Sequence, residues 1–270
     1  MTLREAFAQR LLLLDGGMGS LLMKGNNDAL SITDPQKILD IHRRYVAAGA
    51  DVLTTNTFSS QRVSQHEYHL EEQIVEMNRA AVRLARQAAD EAEGRKVYVL
   101  GDVGPTSKML SMSDDVNDPA ARAITFDQLE AAYEEQIGAL VEEGVDGILI
   151  ETIFDTLNAK AALSAFAKVK ERWLERDATA LVPEVLLSMT VSDASGRTLS
   201  GQTVEAFVTS VMHAQPLCVG LNCGLGAEGM VPYLRRMGKL APCYISCHPN
   251  AGLPNQFGGY DDTPEDMVQK

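Results

Sequence analysis

Cysteine is scarce: Cys218, Cys223, Cys243 and Cys247 are the only four in 270 residues. That is too few for a disulfide scaffold at this length, and their uneven spacing matches no zinc-finger pattern. Long apolar runs are missing too, none approaching the ~20 residues of a membrane span. The short run from Leu11 to Leu14 ends at Asp15 with no small-residue cleavage site behind it, so it reads as a strand and not as a secretory leader. Basic residues are outnumbered, 24 Lys and Arg against 37 Asp and Glu, for a net charge of −13 without a basic stripe. Such a surface repels a phosphate backbone, and nucleic acid is excluded as the expected partner. Low-complexity linkers and clear repeats are absent. So is a G-x-G-x-x-G after the first strand, because Gly16-Gly17-Met18-Gly19 has a different spacing. What remains is a cytoplasmic enzyme of one large or two small domains, with a 45% hydrophobic fraction that supports a sizeable core.

Seven short apolar runs are present, at 11–19, 51–58, 97–105, 147–155, 185–193, 218–226 and 244–252, each closing on polar or glycine-rich residues. Between them the apolar spacing predicts helices over about 34–49, 71–93, 125–144, 156–176, 203–214 and 226–238, with Asp34-Pro35, Thr125, Thr156 and Thr203 as start sites. Strands apolar throughout, alternating with helices, describe a parallel sheet covered by helices. With the polar residues gathered at strand ends, the expected fold is an α/β (β/α)8 TIM-type barrel. Only seven strands are visible, and the chain stops in a helix that opens at Thr263-Pro264-Glu265. The expectation is one barrel domain over 1–270 that is C-terminally truncated, its eighth βα unit missing. The segment 106–124 has no clear element and is either a rim or lid loop or a frayed helix.

Asp15, Asn56, Asp102, Glu151, Asp155, Asp193, Asn222, Cys223 and His248 all fall at or just past strand C-termini. In a barrel these ends converge on one mouth. Asp155 and Asp193 serve equally well as caps of the following helices. Glu151 directly follows Ile148-Leu149-Ile150, where an unpaired charge at the edge of an apolar core needs a cationic partner. Gly16 and Gly17 either let backbone N–H groups cradle a carboxylate or simply form a tight turn. Together the set suits a zwitterionic amino acid with its side chain toward Cys223. A cysteine in that position holds a soft metal, attacks a substrate, or is a buried free thiol. Cys223, Cys247 and His248 form a local metal site only if their strands are neighbours, and at most one of Cys247 and His248 then faces the mouth. Cys218 and Cys243 start their strands and belong to the core. His42, His66, His69 and His213 are surface or packing residues.

The stretches LLLLDGGMGS, TTNTFSSQ, GDVGPTSKML, ETIFDTLNAK, SDASGRTLSGQT, GLNCGLGA and HPNAGLPNQFGGYDDTP, in that order, resemble the homocysteine-binding domain of the cobalamin-dependent methionine synthases, in the homocysteine S-methyltransferase family. The resemblance implies a barrel that binds and activates homocysteine as a zinc thiolate for methyl transfer from methylcobalamin, forming methionine. The alternatives are a stand-alone homocysteine S-methyltransferase with a simple methyl donor such as betaine, and a metal-free amino-acid-binding domain. Cys223 of GLNC falls on the first zinc ligand of the family and, through zinc, on its catalytic position. The other two ligands are an adjacent cysteine pair in a Gly-Gly-Cys-Cys motif that this sequence does not contain, so they are expected beyond Lys270 and the chain alone is expected to be inactive. The resemblance assigns substrate contacts to Asp15, Gly16, Gly17 and Glu151, with Asn222 beside the metal ligand. Folate and cobalamin (as methyltetrahydrofolate and methylcobalamin) belong to other modules of the longer family enzyme.

Overall fold

The structure, a computed structural model, describes residues 1–22, 25–192, 195–252, 260 and 262–270. Asp193 and residues 253–255 of the PNAGLPN motif lie outside the described residues. In chain order the main elements are α1 (Leu3–Gln9), α2 (Pro35–Ala47), β1 (Val52–Thr54), α3 (Ile74–Asp90), β2 (Tyr98–Val103), α4 (Phe126–Glu142), β3 (Gly147–Ile153), α5 (Thr156–Arg176), β4 (Glu184–Met189), α6 (Val204–Val211), β5 (Cys218–Gly226), α7 (Ala227–Leu240), β6 (Tyr244–Asn250) and α8 (Pro264–Gln269). The strands form one curled parallel sheet in sequential order, β1 to β6. This is an α/β fold of partial TIM-barrel type.

The helices begin where side chains satisfy their free N–H groups. Thr125 and Gln128 form a reciprocal capping box on α4, and Thr203 caps α6. For the start of α5 the sequence offers both Asp155 and Thr156 as caps. Asp155 is its cap, accepting from the Leu157 N–H at 2.9 Å, and Thr156 is the first helical residue. The same carboxylate accepts from the Ser111 N–H at 2.8 Å, while Asn158 accepts from the Leu110 N–H at 3.0 Å. The segment 106–124 contains no helix or strand and is a loop pinned to the start of α5.

The first predicted strand contracts to a single bridge, Leu14 to Val52. Arg10 grips Asp51 with two hydrogen bonds at 2.7 and 2.8 Å, and Asp51 also accepts from the Leu13 N–H, which fixes this segment beside β1. One residue past the bridge, the Asp15 carboxylate takes the Thr54 N–H at 2.8 Å, so a side chain stands where the next ladder acceptor would be. That substitution ends the strand.

Two apolar layers lie on the two sides of the sheet. Outward residues such as Val99, Val103, Ile148, Leu187 and Leu221 pack under the helices. Inward residues Val52, Tyr98, Leu100, Leu149, Leu186 and Cys218 fill the interior, and Leu3 and Ala6 of α1 close its floor. Two residues further along each strand the inward positions turn polar. Leu100 is followed by Asp102, Leu149 by Glu151, Leu186 by Ser188, and Gly220 by Asn222. The period of two therefore builds a dry floor and a polar mouth from the same strands.

Among the described residues no strand joins β6 to the Leu14 segment, and a cleft of about 1170 Å³ opens between them. Its walls leave large apolar side chains in water, Leu11 at 87% and Tyr244 at 40% exposure.

Candidate active site

Asn222 sits on the inner face of β5 and spends its whole side-chain amide inside the protein. Its Oδ1 accepts from the Thr152 N–H at 3.0 Å and from Ser188 Oγ at 2.7 Å. Its Nδ2 donates to Thr152 Oγ1 at 2.7 Å and to Cys223 Sγ at 3.4 Å. The residue sequence reasoning placed beside the substrate thus acts as a clamp that joins β3, β4 and β5 and aims the thiol.

Regular alternation would put Cys223 on the opposite face from Asn222. A register irregularity between Asn222 and Gly226 prevents this, with Cys223 at φ 56° and Gly224 at φ 73°. A bulge of this kind re-aims one side chain beside an active site. Gly224 is required there twice over, by its positive φ and because a Cβ would lie 2.3 Å from the Val191 carbonyl oxygen. β3 carries a matching irregularity between Ile150 and Ile153, with Thr152 at φ 54°.

Cys223 lines the large cleft together with Asp15, Gly16, Gly17, Glu151, Asn222 and His248. The six residues to which the family resemblance assigns a role, Asp15, Gly16, Gly17, Glu151, Asn222 and Cys223, share this one cavity. A second chamber, of about 570 Å³, lies beyond them and shares Gly16, Gly17, Glu151 and His248 with the cleft; its further wall includes Thr54, Asn56, Asp102 and Thr106. Gly16 and Gly17 have no positive φ. Gly16 is small because a Cβ would stand 2.7 Å from Tyr45 Oη, whose hydroxyl donates to the Gly17 carbonyl at 3.2 Å.

The mouth is electrostatically unusual because it collects carboxyl groups away from water. Burial pushes Asp15 up to about 8, against the lowering effect of its bonds to Thr54. Burial likewise raises Glu151 to about 7 and Asp102 well above the usual carboxylate range, Asp102 being raised further by Glu151. Partial desolvation raises the Cys223 thiol; the Asn222 bond opposes this, while Glu151 and Asp102 add to it. An unassisted thiol here stays protonated at neutral pH. His248 faces the mouth with its ring hydrogen-bonded to the Asp15 main chain, and burial holds it below its ordinary range.

These residues sit in a chain whose relatives are now identifiable. The family model for homocysteine S-methyltransferase matches residues 12–270. The chain belongs to the homocysteine S-methyltransferase family. Among solved structures it is similar to the homocysteine methyltransferase MmuM from Escherichia coli. The metallated form shares 21% identity at a TM-score of 0.74, over 93% of this chain and 87% of that one. The oxidized form gives 21% identity and 0.73, over 92% and 85%. At this identity the likeness is one of fold.

For a homocysteine S-methyltransferase the number of thiols at the mouth matters, since a catalytic zinc takes three protein ligands. Cys223 alone qualifies. Cys247 turns to the outer face, its sulfur 3.8 Å from Met230 Sδ on α7, which removes the local site of Cys223, Cys247 and His248 considered from sequence. Cys218 lies in the interior floor, and Cys243 packs against the helix-covered layer. Among the described residues no group of three His, Cys, Asp or Glu side chains is arranged to hold a metal. The donor set among the described residues therefore does not fit a complete zinc site.

Sequence reasoning named Asp102 at a strand end without giving it a role, and missed Thr152 and Ser188. Asp102 was findable from its inward register with Tyr98 and Leu100. Thr152 was not, because nothing in ETIFD marks the bulge that gives it a positive φ.

Proposed function

We propose that this domain binds L-homocysteine as the methyl acceptor of a methionine-forming methyl transfer. The observation that carries the reading is the convergence of Asp15, Gly16, Gly17, Glu151, Asn222 and Cys223 on one cleft. An amino acid suits this arrangement. The Gly16 and Gly17 backbone meets its carboxylate, Glu151, unpaired among the described residues, meets its ammonium, and its sulfur lies toward Cys223. Asp15 supports the seat from behind, since its own carboxyl is occupied by Thr54. Asn222 positions Cys223 and does not touch the substrate with a free amide group.

The thiol of homocysteine, with a pKa of about 8.5, is mostly protonated at neutral pH and needs help to ionise. In this reading Cys223 is one ligand of an activating zinc whose other two come from an eighth βα unit that fills the cleft between β6 and the Leu11–Leu14 segment. Residues 1–270 are then one homocysteine-binding barrel domain of a cytoplasmic methionine synthase. Methylcobalamin is the donor, and it and methyltetrahydrofolate are held by other modules of the same polypeptide. A simple methyl donor is the alternative within the family. A metal-free amino-acid-binding domain is favoured by one observation, the solitary thiol at the mouth.

Titration calorimetry of L-homocysteine into the chain, with and without zinc, tests this. Binding that Glu151→Gln weakens by about tenfold or more is expected, and no binding under either condition overturns the reading. Equal binding without zinc favours the metal-free domain. Methionine formation from methylcobalamin or from betaine, in a form of the enzyme carrying all three thiolates, separates the two donors.

A further inference from the structure

Four carboxyl groups crowd the mouth and the chamber behind it, and they divide into two kinds. Asp15 accepts from the Thr54 N–H at 2.8 Å and from Thr54 Oγ1 at 3.1 Å. Asp28 accepts from the Ser59 N–H at 3.2 Å and from Gln65 Nε2 at 3.4 Å. These two are held by the protein. Asp102 and Glu151 are held less completely. Asp102 is 6% exposed; the Val103 backbone N–H reaches its carboxylate, but Oδ1 is buried without a hydrogen-bond partner among the described residues. Glu151 has no ion pair or hydrogen-bonded side chain among the described residues.

The unpartnered oxygen of Asp102 is not the result of a loose backbone. Its N–H donates to Thr55 Oγ1 at 2.9 Å, and its carbonyl accepts from Thr57 Oγ1 at 2.7 Å. Thr55, Thr57 and Gln136 are arranged around this stretch, and none of them donates to the carboxylate. Buried polar groups in folded proteins are almost always satisfied, so a rigidly held carboxylate with one buried oxygen left without a donor among the described residues is an acceptor waiting for one. Glu151, on the adjacent strand, raises Asp102 electrostatically, and both line the same chamber. Among the described residues lining that chamber there is no lysine or arginine. Nor is a metal the evident partner, since the described residues include no three-ligand group. A primary ammonium fits, being one positive charge with three N–H donors.

We propose that Asp102 joins Glu151 as the second carboxylate of the seat for the substrate's ammonium, which makes it a specificity-determining residue. It selects thiols that carry an α-amine over thiols of the same length that lack one. The inference rests on the homocysteine reading above and extends it to a residue that reading leaves unassigned.

The test compares L-homocysteine with 4-mercaptobutanoate, which keeps the thiol and carboxylate and lacks the amine, by calorimetry on the full chain. The wild type is expected to prefer homocysteine. Asp102→Asn is expected to lose about tenfold or more in homocysteine affinity while its affinity for 4-mercaptobutanoate stays within about twofold. A merely structural role would weaken both ligands together, and that result, or an unchanged homocysteine affinity, overturns the proposal. If Glu151→Gln loses homocysteine and Asp102→Asn does not, Asp102 is excluded while the homocysteine reading stands. A wild type that binds neither ligand overturns both. Stabilisation of the wild type by magnesium or calcium alone, lost in Asp102→Asn, would make the seat a metal site and also overturn the proposal. Folding of the variant is checked by its melting temperature, and Asp102→Ser serves as a second variant on the same criteria.

Discussion

Thr152 and Asn222 hold one another across the intervening strand by two hydrogen bonds, 3.0 Å from the Thr152 N–H to Asn222 Oδ1 and 2.7 Å from Asn222 Nδ2 to Thr152 Oγ1. Thr152 has a positive φ of 54°, and Cys223, next to Asn222, has one of 56°. Left-handed backbone at non-glycine residues costs about 1–3 kcal/mol each and persists only where the surroundings enforce it. The pair is that enforcement, and it ties the position of the mouth thiol on β5 to the bulge that presents Glu151 on β3.

Removing the clamp should therefore loosen two strands at once. Asn222→Ala leaves the Thr152 N–H and the Ser188 hydroxyl without their shared acceptor. We expect a loss of roughly 2–4 kcal/mol in urea unfolding. Homocysteine affinity should fall as well, although no free group of Asn222 faces the ligand. A loss below about 0.5 kcal/mol would show that the bulges hold themselves.

Cys223 separates function from fold. Glycine adopts a positive φ without strain, whereas alanine keeps it. Cys223→Gly should be about 1 kcal/mol more stable than Cys223→Ala in chemical denaturation, and both should lose any metal-dependent thiol activation. Equal stability of the two variants would mean that residue 223 relaxes out of the left-handed region when the thiol is gone.

The carboxyl groups of the mouth set a pH dependence with a definite sign. Asp15 and Glu151 titrate near 8 and 7 in the folded protein, far above their ordinary carboxylate values. Above pH 6.5 the unfolded chain has already released these protons and the folded one has not, so stability falls as pH rises. His42, buried and lowered to about 4, acts in the opposite direction but only below about pH 6.5. Between pH 6.5 and 8.5 the melting temperature should drop, with stability falling by roughly 2 kcal/mol per pH unit at the lower end. Glu151→Gln should flatten the slope. A melting temperature that rises over this range would contradict the burial of these groups as free carboxyls.

The open side of the sheet should be adhesive. Tyr244 and Ile245 on β6 are 40% and 37% exposed, and Leu13 across the cleft is 53% exposed. Unpaired edges flanked by apolar side chains invite strand pairing between molecules. Ile245→Lys should reduce self-association in light scattering with little change in melting temperature. Equal monodispersity of the wild type and the variant at high concentration would remove this expectation.

Much of this architecture was legible in the sequence because period and capping are local properties. The capping box of Thr125 and Gln128 fixed the start of α4, and the apolar runs located each strand of the sheet within a few residues. The first strand was overestimated because a side chain, Asp15, replaces the backbone acceptor that would have continued it. That these residues line one cleft was legible from their position at strand ends, which requires only the alternation of strands and helices. Their division of labour was not. That Asn222 is a clamp, that Asp155 pins a loop, and that Cys247 faces away follow from bulges and three-dimensional pairings that leave no mark in composition or spacing.

The floor built by Leu3, Ala6, Tyr98, Leu149 and Leu186 has a consequence for traffic. It shuts the lower end of the sheet, so a small molecule at Glu151 has no exit beneath it. Traffic to that position runs through the upper opening and the lateral cleft beside β6, and whatever covers the cleft governs access to it.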